Sequence, residues 1–134
     1  MKDKVITVLY GGESEERSVS LRSGENVMNA LKARGYNVSP CDPKLDDITT
    51  TPMDVAFIAL HGQGYEDGAL QALLKKRKIP YTGSGIQASR IGMDKQLTKQ
   101  LCIEHQLPIP RFKKCVEIMH VLPEEFTYLS LIHI

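Results

Sequence analysis

Two stretches of this chain are apolar or β-branched at every position: Val5-Ile6-Thr7-Val8-Leu9-Tyr10 and Val55-Ala56-Phe57-Ile58-Ala59-Leu60. A strand with one wet face alternates apolar and polar residues. A short unbroken run fits a strand covered on both faces, as in a parallel sheet. Parallel neighbours cannot be joined by a hairpin, so crossover segments, usually helices, must cover the faces of the sheet. The expected fold class is therefore α/β: a Rossmann-like layered domain with a mostly parallel sheet.

The segments between the two runs fit that plan. Leu21, Gly24, Val27, Met28 and Leu31 recur at helical spacing, with Ser20 as the expected N-cap and Gly35 as the expected C-cap. Residues 36–41 read as a second strand closed by the Asp42-Pro43 turn, and residues 46–52 as polar loop. A short helix is expected over 69–78 and a fourth strand over 79–82. Residues 83–92 are small and turn-rich. Asp94 can cap a further helix with Leu97, Leu101 and Cys102 as its buried positions. Pro108-Ile109-Pro110 breaks that helix, and 111–116 opens another strand.

Composition narrows the function. Seventeen basic and 16 acidic side chains leave a formal charge of +1 on 134 residues. No global field is available to draw in nucleic acid or an anionic membrane. No stretch nears the roughly 20 apolar residues that span a bilayer. Residues 5–10 are too few for a secretory h-region. Cys41, Cys102 and Cys115 are odd in number and widely spaced, which suggests neither a disulfide framework nor a zinc pattern. The expectation is a cytoplasmic protein without a metal site in this chain.

In an open α/β sheet, ligands bind beyond the carboxyl ends of the strands. The loops there are 11–18 and 61–68, and both are rich in glycine and ionisable residues. The first carries Glu13, Glu15, Glu16 and Arg17. It reads either as a carboxylate for a ligand ammonium or as a solvated acidic surface. Its glycine pair is not the spaced triple-glycine fingerprint, so NAD binding is not supported. In the second loop His61 directly follows the buried strand. It reads either as a donor to a substrate carboxyl or as a structural histidine bonded to loop backbone. Lys95 stands at a helix N-terminus, the wrong end for its charge. It is either an anion contact or an ordinary surface lysine.

Three stretches, in this order, resemble the D-alanine–D-alanine ligases. The first is Gly11-Gly12-Glu13-Ser14-Glu15-Glu16-Arg17-Ser18-Val19-Ser20 with Ser23-Gly24. The second is His61-Gly62-Gln63-Gly64-Tyr65-Glu66-Asp67-Gly68 with Gln71. The third is Ile79-Pro80-Tyr81-Thr82-Gly83-Ser84-Gly85, followed by Ala88-Ser89 and Met93-Asp94-Lys95. Together they span roughly residues 4 to 110. Tyr65 stands where the family usually has glycine, so either this position has a negative φ or the loop is altered. Arg90 stands where the family often has a small residue.

The resemblance implies a three-domain ATP-grasp enzyme of peptidoglycan synthesis. ATP phosphorylates the carboxylate of one D-alanine, and the amine of a second attacks the acyl phosphate. Carried over, Glu16 fixes the ammonium of the first D-alanine, Val19 packs nearby, His61 lines the same subsite near the carboxyl, and Lys95 contacts ATP phosphate. The Mg²⁺ carboxylates belong to a later domain of such an enzyme. The division expected is 1–93 as the N-terminal domain, 94–128 as the truncated start of the ATP-grasp domain, and 129–134 as a non-native tail. Such a fragment is expected to be inactive alone; whether it forms a homodimer is open. The alternatives are a ligase making D-alanyl-D-lactate or D-alanyl-D-serine, and a non-catalytic α/β ligand-binding module.

Overall fold

The computed structural model describes residues 3–112. Three parallel strands form the sheet in the order β2-β1-β3: β1 is Val5–Leu9, β2 Asn37–Cys41 and β3 Val55–Ile58. The central strand is the unbroken apolar run at the N-terminus, and Thr7, Val8 and Leu9 are wholly buried. Alternation along the strands splits the core in two. On one face Leu9, Cys41 and Ala56 pack with Ile48, Leu60, Ile79 and two leucines of helix α2 (Ala69–Lys76), Leu70 and Leu74. On the other, Val8 and Ala59 pack with Met28 of helix α1 (Arg17–Ala33), with Val27, Leu31, Val38 and Phe57 around them. Pro40, which lacks an amide, is tolerated because β2 is an edge strand.

Several local expectations need correction. Ser20 is not the N-cap. Helix α1 begins a turn earlier, with Glu16 at the N-cap, and Ser20 joins Gly24 and Met28 in the buried stripe. Its hydroxyl is used inside: it accepts from the Gly11 amide at 2.8 Å and donates to the Ala59 carbonyl at 2.6 Å. The C-cap of α1 is Arg34, and Gly35 follows it with φ 77°. The fourth strand shrinks to a single parallel bridge, Ala56 to Tyr81. The Ala56 amide donates to the Pro80 carbonyl and the Thr82 amide to the Ala56 carbonyl. Pro80 has no amide to extend the ladder, and Gly83 turns the chain away at φ 106°.

The turn-rich segment 83–92 contains a helix, α3 (Ile86–Met93). It can approach α2 because Gly68 has no side chain; a Cβ there would stand 2.7 Å from the Ile86 carbonyl oxygen. Asp94 does cap the next helix, α4 (Lys95–Glu104), accepting from the Gln96 and Leu97 amides. The buried face expected for α4 is absent. Leu97 and Leu101 are 37% and 40% exposed and Cys102 is half-buried, because among the described residues α4 packs mainly on α3. Arg111 and Phe112 are in no strand, and the rest of the expected 111–116 strand lies outside the described residues, as does the tail 129–134.

Candidate functional site

Three loops leave the same, carboxyl, edge of the sheet. One follows β1 and carries Glu16, one follows β2 and begins at Asp42, and one follows β3 and carries His61. The first is a tight reversal in which Gly11 and Gly12 are both left-handed, φ 76° and 72°. Each glycine meets a neighbour where its side chain would be. A Cβ on Gly11 would lie 2.7 Å from the Asp42 carboxyl, and one on Gly12 would lie 2.8 Å from the Tyr65 ring.

Asp42 organises this reversal. It is 4% exposed. Its Oδ1 accepts from the Gly12 amide at 3.0 Å and the Lys44 amide at 3.1 Å. The Arg17 guanidinium closes on it with two bonds, Nη1 to Oδ1 at 3.0 Å and Nη2 to Oδ2 at 2.7 Å. The same Nη1 also donates to the Gly12 carbonyl at 2.7 Å. The Arg17 hydrogen bond, helped by the two amides, lowers the Asp42 carboxyl from 3.8 to about 2 despite its burial. Arg17 is raised by the same partner. Glu16, the residue before Arg17, is thereby held at the head of α1.

The His61 loop is built the same way. Gly62, Gly64 and Gly68 take the positive φ values, and Tyr65 does not. The tyrosine is accommodated without backbone strain. Glu66 Oε2 accepts from the Gly62 amide and Asp67 Oδ2 from the Gly64 amide, each at 2.7 Å, while Asp67 Oδ1 takes the Ala69 amide at the start of α2. The bare α-carbon of Gly62 then sits against Ser14 and close to Glu16 Oε2.

The two loops therefore bring Glu16, His61 and Glu66 together, with one ligating atom of each lying within 4.8 Å of the others. His61 Nδ1 lies 3.6 Å from Glu66 Oε1, an ion-pair distance and too long for a hydrogen bond. Two carboxylates and one imidazole make an acceptor-rich, partly exposed pocket that suits an ammonium group. Beside it opens a cavity of about 520 Å³, whose lining includes His61, Tyr65, Glu66, Thr82, Ser84 and Met93. Val19 lies one turn beyond Glu16 on α1, 45% exposed. Lys95 is exposed at the first turn of α4 and does not line the cavity. Asp94 occupies the Gln96 and Leu97 amides, so Lys95 offers an anion its ammonium rather than those helix amides.

Sequence reading missed Asp42 and Glu66. Asp42 looked like a turn former before a proline, yet it directly follows a parallel strand on the edge where ligands bind. Glu66 had no signal of its own; its place depends on the left-handed glycines around it. The meeting of Glu16 and His61, from two loops about 45 residues apart, was expected from the family resemblance; the addition of Glu66 to that pair was not.

Fold and site together define a parallel α/β domain that gathers a small polar pocket at its strand ends. The chain belongs to the family described as D-ala D-ala ligase N-terminus, whose profile matches residues 5–48 and 43–84. It is 51% identical over 110 residues to the D-alanine–D-alanine ligase of Cupriavidus metallidurans, covering 80% of this chain and 34% of that protein. It is also 51% identical over 112 residues to that of Desulforudis audaxviator, covering 81% and 37%. The crystal structure of the Bacillus anthracis D-alanine–D-alanine ligase complexed with ATP superposes with a TM-score of 0.76 at 28% identity, covering 89% of this chain and 40% of that one. A D-Ala:D-Ser ligase from Enterococcus faecalis shares the fold, with a TM-score of 0.70 at 23% identity over 81% of this chain and 43% of that one. The chain thus spans about a third of the length of the curated relatives it matches. Among the described residues, no helix is long and apolar enough to cross a membrane.

Proposed function

We propose that this chain provides the first-substrate subsite of an ATP-dependent D-alanine–D-alanine ligase serving peptidoglycan synthesis in the cytoplasm. Residues 1–93 form the N-terminal domain, and 94–128 begin the ATP-grasp domain. The observation that carries this reading is the convergence of Glu16, His61 and Glu66 from two strand-end loops. Glu16 binds the ammonium of the first D-alanine through a charge-assisted hydrogen bond. His61, steadied by Glu66, faces the carboxyl that is to be activated. Val19 packs against the small side chain. An imidazole held near that carboxyl offers a donor to charge developing on its oxygen.

Lys95 is the residue proposed to meet ATP, as a point charge on phosphate. Bound ATP supplies the phosphoryl group that makes the carboxylate an acyl phosphate, the species that a second D-alanine amine can attack. Mg²⁺ favours an octahedron of oxygen ligands. The Glu16–His61–Glu66 set includes an imidazole, and Glu16 is taken up by the ammonium, so the set does not fit Mg²⁺.

D-alanine binding to the purified chain tests the proposal. A hydrogen bond to a charged group contributes about 1.5–3 kcal/mol, so Glu16→Ala is expected to weaken D-alanine roughly ten- to hundredfold. His61→Ala should also weaken it. Equal affinity in Glu16→Ala and parent would overturn the assignment. A non-catalytic module would bind through the same pocket yet support no ligation when the chain is joined to the remaining two-thirds of a relative. The D-lactate and D-serine alternatives differ in the second substrate, which the Glu16 subsite does not touch.

A further inference from the structure

We infer that Tyr65 is a positioning residue for this site: its ring, laid on the bare α-carbon of Gly12, ties the His61 loop to the Glu16 loop and sets the gap across which those two side chains face a ligand. The inference rests on the reading of Glu16 as the ammonium partner.

The geometry is one of a clamp with two unlike jaws. Gly11 and Gly12 lie between Asp42 and Tyr65, and neither glycine could carry a Cβ without striking its neighbour. The Asp42 jaw is fixed by burial and by its bonds to Gly12, Lys44 and Arg17. The Tyr65 jaw belongs to the other loop and is half-buried. Its backbone is held at both ends. The Tyr65 amide donates to the Gly62 carbonyl at 3.2 Å, and the Tyr65 carbonyl accepts from Nε2 of the buried Gln71 at 2.9 Å. The ring is thus projected from a fixed base across to Gly12, where Cε2, Cζ and the phenol oxygen all lie within 2.9 Å of the position a Cβ would take.

Besides this ring, Gly62 sits against the Ser14 side chain, and Ser20 bridges the Gly11 amide to the Ala59 carbonyl just before the His61 loop. A residue without a side chain at 65 would leave the reversal open on that side. Gly12 precedes Glu16 by four residues and Tyr65 follows His61 by four, so a shift at the ring contact moves the two side chains relative to each other. The phenol hydroxyl makes no hydrogen bond among the described residues. The ring, rather than the hydroxyl, is therefore the working part.

The test compares D-alanine with propionate, which keeps the carboxylate and lacks the ammonium, by NMR titration of the 134-residue chain. The ratio of the two affinities reports recognition of the ammonium, whose proposed partner is Glu16. Partial unfolding lowers both affinities by the same factor and cancels. Tyr65→Phe is expected to keep the parent's preference for D-alanine within about twofold, and Tyr65→Ala to lose at least about fivefold of it while propionate binding stays within about twofold. Tyr65→Leu, which keeps apolar bulk against the core but not the planar ring, should lose the preference as Tyr65→Ala does and decides the matter if the alanine variant does not fold. Retention of the preference in Tyr65→Ala or Tyr65→Leu overturns the role of Tyr65, as does an equal loss in Tyr65→Phe. Glu16→Ala separates the two levels. If it abolishes the preference while the Tyr65 variants keep it, Tyr65 alone is wrong. If it leaves the preference intact, the ammonium reading falls and the role of Tyr65 with it.

Discussion

Replacing Asp42 with asparagine should weaken the fold at neutral pH and leave it unchanged in strong acid. The amide keeps the shape of the carboxyl and can still accept from the Gly12 amide, but the charge facing Arg17 is gone. The carboxyl is held at about 2 instead of 3.8 in the folded chain. At about 1.36 kcal/mol per pH unit this is worth roughly 2 kcal/mol. That figure is an upper one, because the Arg17 side chain stays 28% exposed and is partly screened. A carboxyl with a depressed pKa stabilises the fold fully above its unfolded value and loses that contribution as pH falls through the folded value. The difference between parent and Asp42→Asn should therefore be about 2 kcal/mol at pH 7, about half that near pH 3, and small at pH 2. Urea unfolding at a series of pH values measures it. A difference that stays constant from pH 7 to pH 2, or one below about 0.5 kcal/mol at pH 7, would refute the account of the ion pair.

Ser20→Ala strips partners from the buried Gly11 amide and Ala59 carbonyl and should cost about 2–3 kcal/mol in the same assay, with no dependence on pH. Gly24→Ala drives a methyl into Tyr10 and should destabilise by about 1–3 kcal/mol, although alanine is the better helix former. Burial pushes the Cys41 thiol pKa up. Cys41 should therefore react with a thiol reagent under native conditions far more slowly than half-buried Cys102, as read by mass spectrometry of the two peptides.

The layered fold was legible because burial leaves a direct trace in sequence. The unbroken runs at 5–10 and 55–60 could be satisfied only by strands covered on both faces, and the glycines and polar residues after them marked the loops. Glu16 and His61 were visible as candidates because each sits in such a loop. What lay between elements was less legible. Ser20 is a good N-cap residue by type, yet its hydroxyl found two long-range backbone partners that local pattern cannot show. Segment 83–92 reads as turns because glycine and serine are weak helix formers, and contact with α2 and α4 overrides that preference in α3. Leu97 and Leu101 have the spacing of a buried stripe, but periodicity says only which face is apolar and not what covers it. Asp42 and Glu66 act through backbone amides presented by left-handed glycines, a geometry with no counterpart in residue spacing.

The central claim is that the strand-end loops carrying Glu16 and His61 form one small amino-acid pocket. It is tested most directly by mapping amide shift changes as D-alanine is added to the isotope-labelled chain. The changes should concentrate in residues 11–19 and 61–68, and in Glu16→Ala should need roughly ten- to hundredfold more D-alanine to reach the same size. Changes confined to one of these loops, or centred on β2 and the far end of α1, would contradict it.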